Sequence, residues 1–175
     1  MFDLSQTVKL ANLNPRAEKH GEDTKPALDL KIEATCPSSA LIHFHHELRQ
    51  HLFKKDENPD LVDQVTEGDG LTVLRYPKMG AIKWDWECTG YTAEVDYGLG
   101  GESNIVLHDV KVDHFTIEAM NGGSVAITFR ITAHPEADDV GKLCEFIQRD
   151  IDLKLTPPEA KTADDLFPPS MAKAA

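Results

Sequence analysis

Long apolar runs are missing from this chain of 175 residues: nowhere does it hold the roughly 20 consecutive apolar residues that a membrane-crossing helix needs. Cysteine is scarce, and Cys36, Cys88 and Cys144 stand in no metal or redox spacing, which points to free thiols in a reducing compartment. The start, Met1-Phe2-Asp3-Leu4, shows no basic run followed by an apolar block, so no secretory leader is expected. Catalytic signatures are lacking as well. There is no Gly-x-Ser-x-Gly elbow and no HExxH, and Gly98-Leu99-Gly100-Gly101 reads as a turn between strands that opens no phosphate-binding helix. Basic residues are few, 18 Lys and Arg against 30 Asp and Glu, for a formal net charge of -12.

The acidity is unevenly spread. Residues 1–55 carry 8 bases and 7 acids, residues 56–110 carry 3 and 12, and residues 111–175 carry 7 and 11. Its densest run, from Asp56 through Glu57, Asp60 and Asp63 to Asp69, holds six acids and no base. Such a field repels nucleic-acid phosphates and attracts basic protein surfaces. The bland reading is a solvated loop that keeps the protein soluble.

What the chain does contain is hydrophobic alternation, with 41% hydrophobic residues arranged largely at a period of two. Gln6–Asn12 reads as a strand, Asn14–Pro26 as a polar connection, and Leu28–Thr35 as a half-buried strand. Pro37-Ser38-Ser39 predicts a stop and a helix cap, and Leu41, Phe44, Leu48 and Leu52 recur at helical spacing, so a helix is expected over about 38–53. From Ala81 to Ala133 the period is two again. Asn121-Gly122-Gly123 sits between alternating runs and predicts a hairpin. Val140, Leu143, Cys144 and Ile147 predict a second helix over about 138–149 with a buried Cys144, and Asp150–Thr156 a last strand. The expected architecture is β-rich α+β, an antiparallel β-sandwich or small β-barrel with two helices. Residues 1–158 form one domain in this reading, and 159–175 a mobile tail.

Two histidine clusters invite a metal reading. In His43-Phe44-His45-His46 only His43 and His46 have helical ligand spacing, and no acid completes the set. His108 and His114, if one regular strand spans them, share a face about 20 Å apart, with Asp109 and Asp113 on the other, too far for one ion. No metal and no cofactor is expected. Trp84 and Trp86, of equal parity and about 7 Å apart, suit a core or a base-stacking platform, and the core reading is favoured. Lys9, Arg16, Lys19, Lys25 and Lys31 line one groove if the first two strands pair.

The runs Val8–Glu22, Lys25–Ile32, Gly123–Arg130 and Gly141–Cys144 resemble segments of uncharacterised tailed-phage and prophage proteins. The order of strand, charged loop, strand and helix also resembles the opening of phage single-stranded-DNA-binding proteins built on an OB barrel. The resemblance implies the cytoplasm of a bacterial host, and it carries no catalytic motif.

Two non-enzymatic readings follow. The first is an accessory protein of phage DNA metabolism that binds single-stranded DNA through Lys9, Arg16, Lys19, Lys31, Trp84 and Trp86. The second is an acidic inhibitor of a host defence or nuclease complex, of the anti-CRISPR or DNA-mimic type, that offers Asp56, Glu57, Asp60 and Asp63 to a basic host protein complex. No membrane partner is expected, and a homo-oligomer stays open in both readings.

Overall fold

The computed structural model of the protein describes residues 1–21, 23–56, 70–98 and 103–159. Nine strands are present among them: β1 (Leu4–His20), β2 (Asp23–Pro37), β3 (Phe53–Lys55), β4 (Leu71–Leu74), β5 (Ile82–Trp84), β6 (Cys88–Val95), β7 (Ile105–Met120), β8 (Ser124–Ala133) and β9 (Asp150–Thr156). Six of them close on themselves in the order β7, β6, β9, β1, β2, β8 and back to β7, every pair antiparallel. The chain is therefore the barrel alternative of a β-rich α+β fold. Closure of the ring removes most of the free sheet edge that an open sandwich would leave. An OB barrel has five strands, so the six-stranded ring differs from that part of the resemblance.

The barrel fills with the apolar half of each alternating strand. Leu28, Leu30, Ile32, Ala34 and Cys36 of β2 face Val125, Ile127, Phe129, Ile131 and Ala133 of β8 in register, and all are buried. Ile151, Leu153 and Leu155 of β9 and Tyr91, Ala93 and Val95 of β6 complete the wall.

Two strands depart from strict alternation: β1, whose register slips between Leu10 and Asn12 where Leu10 and Ala11 are both buried, and β7. In β7 the buried positions run Ile105, Leu107, Val110, Val112, Phe115, Ile117, with two steps of three where a regular strand takes two. At these steps Asp109 (φ 51°) and His114 (φ 56°) adopt left-handed conformations, and the registers with β6 and β8 slip there. Asp and His tolerate that region better than most residues. Each bulge bends the strand and resets its inward face, which lets sixteen residues serve two neighbours of the ring. The regular strand expected over His108–His114 is thus replaced by a kinked one, and Lys111 and Asp113 point outward together.

The polar connection expected over Asn14–Pro26 is strand instead. β1 and β2 stay paired as far as His20 with Asp23, forming a ribbon that outruns the strands beside it. Apolar periodicity is absent here because ion pairs and backbone ladders hold the ribbon. Pro15 and Pro26 fit because the ribbon's outer edges have no further strand to receive a donor.

The helix expected over 38–53 is divided into a 3-10 turn (Ser38–His43) and a short helix, α1 (Leu48–Leu52). Its apolar face is real: Leu41 and Leu52 are buried, and Phe44 and Leu48 pack on the core. The break falls in Phe44-His45-His46-Glu47, which includes weak helix formers, where Phe44 turns in against Phe2 and Phe115. Ser38 does not cap; it is buried, and its hydroxyl accepts from Arg49 Nε at 2.9 Å. The second helix, α2 (Ala137–Cys144), carries Asp138 and Asp139 in its first turn, as its dipole favours, but ends five residues before the expected limit. Leu143 is its buried residue, whereas Cys144 is exposed, contrary to the expected buried thiol.

The hairpin at Asn121-Gly122-Gly123 forms as expected, with Met120 opposite Ser124 and both glycines at positive φ (85° and 73°). No helix among the described residues is long and apolar enough to cross a membrane. The expected Gly98–Gly101 turn falls mostly, and the expected tail almost wholly, outside the described residues.

Candidate binding groove on the outer barrel face

Outward positions of β1, β2, β8 and β7 form a polar face built around two carboxylates. Asp29 accepts from Arg16 Nε at 2.9 Å and from the Thr132 hydroxyl at 2.8 Å. Asp113 accepts both Nε and Nη2 of Arg130 at 2.8 Å, with Lys111 Nζ at 3.1 Å and His114 Nδ1 at 2.9 Å. Such bidentate guanidinium pairing is among the stronger charge-assisted contacts and fixes both partners. Burial pushes the Asp113 carboxyl up, but hydrogen bonds from Arg130, Lys111 and His114 outweigh it and hold the pKa at about 2.

A pH dependence follows. Because the folded pKa lies below the ordinary 3.8, the stabilisation is complete above that value and is lost as pH falls through about 2. The difference corresponds to about 2 kcal/mol. Urea unfolding between neutral pH and pH about 2 is expected to show this loss in the wild type, and Asp113→Asn is expected to lack that component. Equal acid sensitivity of the two proteins would contradict the assignment.

Around these hubs lies a groove of about 470 Å³, lined by Asn12, Asn14, Asp29, Lys31, His114, Thr116, Thr128 and Arg130 over Phe129. A second recess of about 330 Å³ adjoins it, with Lys83, Trp84, Trp86 and Glu87 among its walls. His114 and Thr116 line both, and Lys83 lies opposite Thr116 in the β5–β7 register. The two recesses meet at His114 and Thr116. A further recess of about 400 Å³ across β1, β9 and β6 gathers Glu94, Asp96 and Asp152, with Lys154 as the lone base in its lining.

The sequence-derived candidates divide. Lys31 is in the groove, its side chain 55% exposed and its ammonium 3.5 Å from Glu33. Lys9 lies outward on the same face, in register with Glu33. Arg16 is on that face too but is held by Asp29 and Glu18. Lys19 alternates to the opposite face of the ribbon, so the first two strands do not gather all their bases into one groove; Lys25, opposite Glu18, stays with Arg16.

Trp84 and Trp86 are half-buried and meet Phe44 edge-on at 5.9 and 5.8 Å, and Trp86 leans on Phe115 at 5.7 Å. Much of each indole is wall of an aromatic cluster, with the remainder facing the second recess.

Of the acidic candidates, Asp56 is half-buried with its amide donating to Gly70, and Glu57, Asp60 and Asp63 lie outside the described residues. His43 contacts the Met1 carbonyl and Asp3, and His45 and His46 stack at 4.4 Å. Among the described residues no group of three or more His, Cys, Asp or Glu is close enough to hold an ion.

Sequence reasoning missed Asp29, Asp113 and Arg130 as the charged framework. The available signal was a charge at an outward position of an alternating strand. What each would meet depended on strand order, which alternation does not encode. No family model, curated protein or solved structure matches the chain.

Proposed function

We propose that the protein is a non-enzymatic accessory of phage-type DNA metabolism that binds single-stranded DNA along the outer face of the barrel. The observation that carries this reading is the shared lining of the two recesses, which puts Lys31 and the Lys83–Trp84–Trp86 segment in recesses that meet. A single strand needs cations beside its backbone and apolar or aromatic surface for its bases. Lys31, Lys83 and Lys9 supply the first, and the exposed edges of Trp84 and Trp86 supply the second. Asp29, Asp85, Glu87 and Asp113 line the same two recesses and outnumber Lys31, Lys83 and Arg130 there, so the binding is modest and strongly salt-dependent.

Titration of a labelled oligothymidylate at low and moderate salt tests the reading. Affinity is expected to fall steeply with salt. Lys9→Ala with Lys31→Ala is expected to weaken binding and to reduce the log–log salt slope by about 1.4, at about 0.7 per phosphate contact. Both lysines are solvent-facing partners of Glu33, so their loss changes stability little. No binding at low salt sinks the proposal.

The imbalance of 3 bases against 12 acids over residues 56–110 favours the second reading, an acidic inhibitor directed at a basic protein complex. Neutralising Asp56, Glu57, Asp60 and Asp63 together would abolish capture of such a partner and leave DNA affinity unchanged or increased.

A further inference from the structure

The acidic third of the chain, residues 56–110, holds three bases, and all three fall within nine residues: Arg75, Lys78 and Lys83. No acid occurs between Gly70 and Trp84. In the middle of this island Tyr76 is 55% exposed and Met79 53% exposed, two of the few large apolar side chains that the described surface leaves open. With Arg75, Pro77 and Lys78 they line a largely apolar recess of about 660 Å³.

The loop is held in shape. The Arg75 amide donates to the Leu52 carbonyl at 2.8 Å, and its guanidinium donates to the carbonyls of Gln50 at 3.2 Å and Phe53 at 3.4 Å. Beyond it, the Met79 amide closes a turn on the Tyr76 carbonyl at 3.1 Å. An exposed ring on a pinned turn needs little ordering when a planar ligand stacks on it.

We infer that the Arg75–Lys83 segment is a base-stacking element for single-stranded DNA, with Tyr76 as the stacking ring and Lys78 and Lys83 as phosphate contacts. The inference rests on the proposed function and extends it. Lys83 already lines the recess beside Thr116, and Tyr76 precedes it by seven residues, at most about 25 Å along the chain. Charge selects the occupant. Cations on both sides of an exposed aromatic, in a region otherwise acidic, suit a polyanion with planar bases better than an acid-seeking protein surface.

The test combines anisotropy with photocrosslinking, using oligothymidylate carrying one 5-iododeoxyuridine. Tyr76→Ala is expected to weaken binding about tenfold, and Tyr76→Phe to keep most of the affinity, because stacking needs the ring and not the hydroxyl. Lys78→Ala is expected to lower the salt slope by about 0.7. Crosslinked peptides are expected to map within residues 75–83. Wild-type binding that survives Tyr76→Ala, with crosslinks elsewhere, overturns the inference while sparing the proposed function. If the wild type does not bind, both fall. A Tyr76→Ala effect confined to self-association in sedimentation would assign the loop to a second copy of the chain, and also overturns the inference.

Discussion

Replacing Arg130 by methionine is expected to cost about 2 kcal/mol of folding stability, although Arg130 is partly exposed and lies outside the core. The reason is what the change leaves behind. Asp113 is 4% exposed, and Arg130 supplies two of its hydrogen bonds at 2.8 Å. Lys111 and His114 remain within reach, but neither presents the planar two-pronged donor that satisfies both carboxylate oxygens at once. The carboxylate keeps Lys111 on Oδ2 and His114 on Oδ1 but loses its two shortest hydrogen bonds, and water has to enter in their place.

Removing both charges, Arg130→Met with Asp113→Leu, is expected to recover most of the loss, because an apolar pair of similar volume avoids the desolvation cost. Urea denaturation of the wild type, the single variant and the double variant reads this directly. A single variant within about 0.5 kcal/mol of the wild type, or a double variant no better than the single, would show that the ion pair does not organise this face.

Phe2→Ala is expected to destabilise the protein by about 3 kcal/mol. Phe2 is 1% exposed, and its ring meets those of Phe44, Phe115 and Phe129 at 5.4 to 5.6 Å. It also meets the His43 ring edge-on, while His43 Nδ1 lies 2.8 Å from the Met1 carbonyl. The side chain therefore closes one part of the aromatic cluster against the 3-10 turn and the tryptophans. Its loss would loosen Phe44, and with it the packing of Trp84 and Trp86. Thermal unfolding gives the stability change, and tryptophan fluorescence is expected to shift to the red as both indoles gain water. An unchanged emission spectrum would show that the turn holds them without Phe2.

Much of the barrel was legible in the chain itself. The inward residues of β2, β8 and β9 are the ones strict alternation selects, because a half-buried strand writes its two faces into its sequence. The hairpin at Asn121-Gly122-Gly123 was legible for a different reason: few residues accept the left-handed geometry such a turn demands. The ribbon at Arg16–Lys19 and Lys25–Pro26 was not, since its stability comes from charged partners across the strands and its composition imitates a loop. Neither was the break within 38–53, where helical periodicity correctly marked the buried side chains while the backbone took two short turns to deliver them.

The candidate site was legible only in pieces. Lys9, Lys31, Trp84 and Trp86 stand out as isolated residue types, and the approach of the lysines to the tryptophan edges depends on β2 pairing with β8, β8 with β7, and β7 with β5. By itself the sequence determined the class of fold, which face of most strands is buried, and the concentration of acid in the middle third, because these are local properties of pattern and composition. Tertiary structure alone decided that the sheet closes into a ring, that Asp29 and Asp113 tie the outer face together, and that Lys19 turns away from Arg16 and Lys31. These are consequences of which strand meets which and at what register, and a one-residue bulge such as those at Asp109 and His114 reverses the outcome for every side chain beyond it.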